Sequence, residues 1–404
     1  MATRSPQLPM PDALPADTEA EGLSPAEAAD LAACRTLLAH GSRTFLAASR
    51  LLPRRVREPA CALYAFCRMA DDEVDGQTGG GPSSLAKDAN HANNAASAAS
   101  ADSAADAARA SAAVQRLRQR LVRIYQGRPD TEAADRALAA VVRRFRIPSV
   151  LPEALIEGFE WDAAGRRYET LAEVQAYAAR VAGTVGAMMA LLMGVRSAAG
   201  LARACDLGVA MQLSNIARDV GEDARLGRLY LPRQWLREAG IDPDAWLAAP
   251  QHSPALGRVV QRLLREADAL YTRVDAGVAA LPLGCRPGIN AARFLYAQIG
   301  LEVERRGLNA IDGRAVVSRR RKATSLLRAL VALNPDDSWA PQPPLPATRY
   351  LVEAVTGPLH AAHFNRPAPR RLAGVIALFD RLERRDRGWG LTDGRTALAE
   401  GGGE

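Results

Sequence analysis

The sequence predicts an all-α protein, a bundle of helices around one large core. Three observations carry the prediction. Ala, Leu and Arg dominate while aromatic residues make up only 5% of the 404, a composition of strong helix formers with few of the residues that sheets prefer. Apolar residues reach 48%, enough for a sizeable core. From about residue 24 to 330 the apolar positions recur at helical spacing, broken only at short Pro- and Gly-containing segments.

Along the chain, residues 1–23 are rich in Pro, Ala and acids without a period and are expected to be a disordered tail. A helical domain is expected over 24–333. Within it "LLPRRVREP" (51–59) is a breaker, and "ALYAFCRMADDEVDG" (62–76) begins as an apolar helix face and ends in Asp71, Asp72, Glu73 and Asp75. The stretch 76–113, mostly Gly, Ser, Asn and Ala, lacks the large apolar residues that offset ordering entropy and is expected to be a mobile low-complexity loop. Further breakers at "FRIPSVLP" (145–152), "LYLPRQW" (229–235) and "LPLGCRPG" (281–288) divide the rest, giving about eight to ten helices in one bundle. "NPDDSWAPQPPLP" (334–346) reads as a linker. It opens a C-terminal region, 334–404, that includes the basic helical segment "RRLAGVIALFDRLERRDRG" and ends in a disordered "AEGGGE".

A formal charge of +7 suits anionic partners, whether nucleic acid, lipid headgroups or phosphorylated metabolites. Nucleic acid is excluded as a partner, because no binding module or interleaved aromatic platform accompanies the charge. The five cysteines contain no C-x-x-C pair, which argues against a zinc site or a disulfide framework and for reduced, cytoplasmic core residues. His360 and His363 stand one helical turn apart without further ligands. The longest apolar run, "VGAMMALLMGV" (185–195), is about half the roughly 20 residues that span a bilayer, and the N-terminal stretch lacks the apolar core of a signal peptide. The chain is therefore expected to be soluble in the cytoplasm or to rest peripherally on the cytoplasmic membrane. "SRRRKATSLL" (318–327) would suit diphosphate or anionic lipid, and equally a solvated basic helix start.

Two acidic stripes carry chemistry. On a helix, Tyr64, Arg68, Asp71 or Asp72, and Asp75 fall at offsets of 4, 7 or 8, and 11, on one face. Such carboxylates repel one another unless solvated, paired with cations or bound to metal. About 150 residues later, in "LGVAMQLSNIARDVGEDARLGRLYLP" (207–232), Gln212, Asn215, Asp219 and Asp223 repeat at three or four with Arg218 beside them. The opposite face, Leu207, Val209, Ala210, Leu213, Ala217 and Val220, is apolar or small. One D-x-x-x-D alone is usually solvated surface. Two stripes can face each other across a bundle, where helical enzymes build metal sites. Mg²⁺ is commonly held by one or two carboxylates, waters and substrate phosphate oxygens, which points to a diphosphate substrate. An EF-hand is excluded, since "DDEVDG" would need a bidentate Glu where Pro82 stands. "GTVG" lacks the strand and lysine of a phosphate-binding P-loop.

Four segments in order, "GSRTFLAASRLLP", "ALYAFCRMADDEVD", "YAARVAGTVGAMMALL" and "QLSNIARDVGEDARLGRLYLP", resemble the squalene and phytoene synthases, nearest in wording to bacterial phytoene synthases, over about residues 36–330. The resemblance implies an isoprenoid-synthase-type helical bundle with a central cavity. Within it, Asp71 and Asp75 face Asp219 and Asp223, joined by Asn215, around Mg²⁺ or Mn²⁺. It implies catalytic roles for Tyr64, Arg68 and Tyr177 beside those acids, and substrate binding by Ser42, Arg43, Gln212, Asn215, Arg218 and Tyr296. The implied reaction joins two geranylgeranyl diphosphates head to head through a cyclopropyl diphosphate to phytoene, the first committed step of carotenoid biosynthesis. Handover to a downstream desaturase would follow. NADPH is not expected, as no G-x-G-x-x-G fingerprint is present. The alternatives are a squalene or dehydrosqualene synthase using farnesyl diphosphate, and a non-catalytic helical assembly protein of the same fold. Ala182, Gly183 and Gly186, unfavourable in an isolated helix, are expected to leave room for a prenyl chain, or else to permit close helix packing.

Overall fold

A computed structural model describes residues 25–41, 47–74, 96–332 and 342–357. Ser42, Arg43, Asp75, the basic segment of the C-terminal region and the pair His360 and His363 lie outside the described residues. The chain divides into two units, Met1–Thr356 and Gly357–Glu404. The first runs past the domain boundary expected at 333.

The described residues are helical and contain no β-strand. In order they form α1 (Pro25–Gly41), α2 (Arg54–Val74), α3 (Ala96–Tyr125), α4 (Ala133–Phe145), α5 (Val150–Ala163) and α6 (Leu171–Ala178). A π-helical turn (Ala179–Gly183) continues α6 into α7 (Thr184–Leu192), followed by α8 (Ala198–Arg225), α9 (Arg233–Glu238), α10 (Pro243–Ala248) and α11 (Pro254–Ala279). α12 (Arg286–Arg305), α13 (Arg319–Val331) and α14 (Arg349–Thr356) complete the order. Short helices such as α9, α10 and α14 take the number beyond the eight to ten expected, because apolar spacing cannot resolve elements of one or two turns.

The low-complexity stretch corrects one expectation. Residues 96–113, placed in a mobile loop by their lack of large side chains, form the first part of α3. Alanine is the strongest helix former, so an Ala-rich segment needs little burial to propagate a helix that large residues anchor further on, here at Val114, Leu117 and Leu121. α3 then ties α2 to α4. Glu73 accepts from Arg116 and Arg120, both at 2.9 Å, and Arg120 also grips the fully buried Asp135 of α4 at 2.9 Å. Glu73 is thereby withdrawn from the acidic cluster at the end of α2 and becomes a structural residue.

α8 is the axis of the bundle, 28 residues and about 42 Å long, capped by the Ser197 hydroxyl accepting from the Gly200 amide. It packs on α11, α7, α12 and the π turn. Two glycines set its approach to the α6–α7 rod. A Cβ at Gly186 would stand 2.1 Å from the Ala204 carbonyl oxygen, and one at Gly208 would stand 2.3 Å from that of Ala182. The room expected for a prenyl chain at Gly186 is thus occupied by the backbone of α8, and close packing is the reason for that glycine. Gly208→Ala is expected to destabilise the protein by about 2 kcal/mol. Overpacking against backbone costs roughly 1–3 kcal/mol or more, which outweighs the gain of about 1 kcal/mol in helix propensity. A lower urea midpoint at unchanged slope would show it.

Residues 342–356 return to the bundle. Arg203 of α8 and Arg273 of α11 both lie 2.9 Å from the fully buried carboxylate of Asp206, and both also donate to the Pro343 carbonyl, at 3.2 and 2.6 Å. The two guanidiniums approach Asp206 off the ideal hydrogen-bond line, so charge rather than directed bonding dominates this triad. Burial outweighs both arginines and raises the Asp206 carboxyl above its ordinary range. Beyond this latch Leu351, Val352 and Val355 of α14 are buried against α5, α7 and α8.

Candidate active site

The second acidic stripe forms as the spacing predicts. Gln212, Asn215, Arg218, Asp219 and Asp223 lie half-buried along one side of α8, while Leu207, Val209, Ala210, Leu213, Ala217 and Val220 are buried on the other. The Asn215 side-chain oxygen is buried and has no hydrogen-bond partner among the described residues. Such an acceptor is expensive to leave unmet, and it stands in a ladder with two carboxylates.

Asp219 sits between two guanidiniums. Arg218 donates to it at 2.6 Å, and Arg314 lies 2.9 Å away while also reaching Glu222 at 3.7 Å. Arg314 comes from the connection between α12 and α13, which α8 admits closely because Gly221 has no side chain. A Cβ there would meet the Ala310 carbonyl at 2.7 Å, and instead the Gly221 amide donates to that carbonyl at 3.0 Å. Asn309 shapes the same turn by accepting from the amides of Ile311 and Asp312. One turn along α8, burial, and then the Asp219 charge, push the Asp223 carboxyl up to about 7 against the pull of Arg228.

On α2 the acids divide by function. Arg68 holds Asp72 at 2.6 Å and reaches Asp71 at 3.5 Å. Asp71 therefore remains the more exposed of the two. Tyr296 of α12 lies within electrostatic reach of both Tyr64 on α2 and Arg218 on α8. Burial pushes the Tyr64 hydroxyl up, and Asp71 adds to the rise.

Tyr177 belongs to a cluster that spacing alone does not reveal. Its hydroxyl donates to Asp162 at 2.8 Å, and Tyr230 donates to the other oxygen of the same carboxylate at 2.7 Å. The two rings stack with centroids 5.0 Å apart, and fully buried Tyr168 closes the group at 5.3 and 6.1 Å. Asp162 acts electrostatically on Asp223, which joins this aromatic wall to the ladder on α8. Tyr230 falls within the "RLYLP" of the second motif but is not among the residues the spacing singled out. Asp162 is one of several acids on α5, and Arg314 a cation in a loop, so neither carries a signal without the fold.

Among the described residues no three His, Cys, Asp or Glu side chains gather as a closed metal cage. A half-buried ladder of hard oxygen donors, ringed by arginines and facing tyrosines inside an all-helical bundle, defines an isoprenoid-synthase-type enzyme. The chain belongs to the squalene/phytoene synthase family, whose sequence profile matches residues 38–321. It is 49% identical over 368 residues to the phytoene synthase of Rhodobacter capsulatus, covering 89% of this chain and 98% of that one. It is 47% identical over 364 residues to the phytoene synthase of Cereibacter sphaeroides, covering 89% and 95%. A dehydrosqualene synthase solved in complex with a ligand superposes with a TM-score of 0.64 at 28% identity, covering 76% of this chain and 97% of that one.

Proposed function

We propose that the protein is a prenyltransferase that joins two geranylgeranyl diphosphates head to head, through a cyclopropyl diphosphate, into phytoene, the first committed step of carotenoid biosynthesis. The observation that carries this reading is the α8 ladder, with its unmet Asn215 oxygen beside Asp219 and Asp223, in a chain 47–49% identical to two phytoene synthases.

The donor set fits a hard divalent cation, Mg²⁺ or Mn²⁺. Asn215 offers a buried oxygen with no partner among the described residues, and burial, then the charge of Asp219, raise Asp223 in a way that a bound cation would offset. Asn215, Asp219 and Asp223 would hold such an ion on one side, and Asp71 with Asp75 on the other. When bound, the ion would neutralise charge on the departing diphosphate. Arg68, Arg218 and Arg314 bind the phosphate oxygens, exchanging their present carboxylate partners for them. One substrate loses diphosphate to form an allylic cation. The double bond of the second attacks that cation, and loss of a proton closes the cyclopropane. A second ionisation, rearrangement and proton loss give the triene at the centre of phytoene. The faces of Tyr177 and Tyr230, fixed by their shared bond to Asp162, stabilise positive charge and exclude water.

No reductant is needed for this product, so NADPH is not part of the scheme. A hydrocarbon product favours an enzyme in the cytoplasm that rests on the membrane and passes phytoene to a desaturase there. The structural likeness to a dehydrosqualene synthase supports a second reading with farnesyl diphosphate as substrate. Product analysis after incubation with each diphosphate separates them: a C40 product is expected, and a C30 product alone would establish the second reading.

A titration follows from Asp223. A carboxyl raised to about 7 must lose its proton to ligate a cation, so affinity falls below that pH and levels off above it. Mn²⁺ is expected to bind about tenfold more tightly at pH 8 than at pH 6, read by calorimetry on the substrate-free protein. A flat profile would remove Asp223 from the ligand set.

A further inference from the structure

α13 has an outward face that folding does not explain. Ser325 and Ala329 point inward onto α12, where Arg321 meets Glu302 at 2.5 Å, Arg328 lies over Phe294 at 4.4 Å and Asn290 donates to Ala332 at 2.7 Å. The opposite side should be polar in a helix whose outer face meets only water. Instead Leu327, Leu330 and Val331 are 64%, 45% and 81% exposed at adjoining helical positions. They form a contiguous corner, unlike apolar residues scattered singly over a surface.

The charges around that corner have one sign. α13 contains Arg319, Arg320, Arg321, Lys322 and Arg328 and no acid. Four of the five cations lie in its first turn, where the positive end of the helix dipole makes them unfavourable and acids would be preferred. Only Arg321 is matched by a carboxylate on α12. Arg319 and Arg320 are exposed and have no ion-pair partner among the described residues. The cost to the isolated protein implies a counter-charge that arrives from outside. Cations at one end and along the flank, with exposed Leu and Val on the same outward side, are the composition of a helix lying in a lipid interface.

We propose that the outward face of α13 docks this protein onto an anionic lipid bilayer, with Leu327, Leu330 and Val331 entering the headgroup boundary and Arg319 and Arg320 contacting lipid phosphates. The surface is separate from the ladder on α8, so docking leaves the active-site residues as they are.

Co-sedimentation of the full chain with phosphatidylcholine vesicles, with and without phosphatidylglycerol, tests this, and since the assay contains no prenyl diphosphate its outcome is independent of the assigned reaction. Binding is expected only with phosphatidylglycerol and is expected to weaken with salt. Arg319→Gln with Arg320→Gln should weaken it about 25-fold, at roughly fivefold per basic residue near the surface. Leu327→Ser with Val331→Ser should weaken it at least about tenfold while leaving the melting temperature unchanged, because both side chains are exposed. Equal binding to neutral and anionic vesicles, or binding unaltered in both double variants, would overturn the proposal. So would a dimer in vesicle-free solution that the Leu327 and Val331 variant dissociates, since a second copy would then occupy the face.

Discussion

Asp219→Ala is expected to reduce turnover at least about a thousandfold while the circular dichroism spectrum stays that of the folded protein. The side chain stands between Arg218 and Arg314, beside Asn215 and Asp223, at the point where the diphosphate and its counter-cation would meet. Losing electrostatic stabilisation of a departing anion typically costs two to three orders of magnitude, and losing a cation ligand as well adds to that. Asp219→Asn separates this role from a structural one. An amide preserves volume and can still accept from the arginines, so a merely structural aspartate would be rescued. A ligand and charge partner would not, and the Asn variant should remain at least about a hundredfold slow. Recovery of most of the activity in Asp219→Asn would count against the assigned role.

The second large effect is on stability. Asp206→Ala is expected to cost about 3 kcal/mol in urea denaturation, because it leaves Arg203 buried, and Arg273 largely so, without their common counter-ion. The effect should be confined to stability at temperatures where the variant is folded, since Asp206 lies on the latch and not in the ladder. A loss below about 1 kcal/mol would mean that both guanidiniums turn to solvent and the triad contributes little.

Periodicity was sufficient for the ladder. Four polar side chains at three- and four-residue spacing opposite six apolar ones can only be a helix with two faces, and α8 has both. The cluster at the end of α2 was harder, because its acids look alike in sequence. Which of them remains available depends on cations elsewhere. Arg68, one turn away, occupies Asp72, and Arg120 on α3 draws Glu73 toward Asp135. The first pairing is local and could have been read from spacing. The second spans 47 residues and required the path of α3, which composition had concealed by making an alanine-rich helix resemble a loop.

Asp162 and Arg314 were illegible for the same reason. Each matters through what it meets, two tyrosine hydroxyls in one case and Asp219 in the other, and neither neighbour is near in sequence. Of the two purposes open for Gly186, room for a prenyl chain or close packing, the structure shows the second, while Gly208 and Gly221 carried no signal of their own. A missing side chain can leave space for a ligand or for another backbone, and only the Ala204 carbonyl at 2.1 Å from the position of a Cβ decides between them.

The latch has a bearing on the order in which the chain is made. Arg203 must wait for Pro343, 140 residues later, before its last hydrogen bond can form. At typical synthesis rates that interval is on the order of 10 s, during which α8 and the helices around it have emerged but the patch that α14 will cover is open. A growing chain therefore carries an uncovered apolar strip, beside two arginines that still lack their shared carbonyl acceptor, until nearly all of the first unit has left the ribosome, which makes this the period in which a chaperone would bind it.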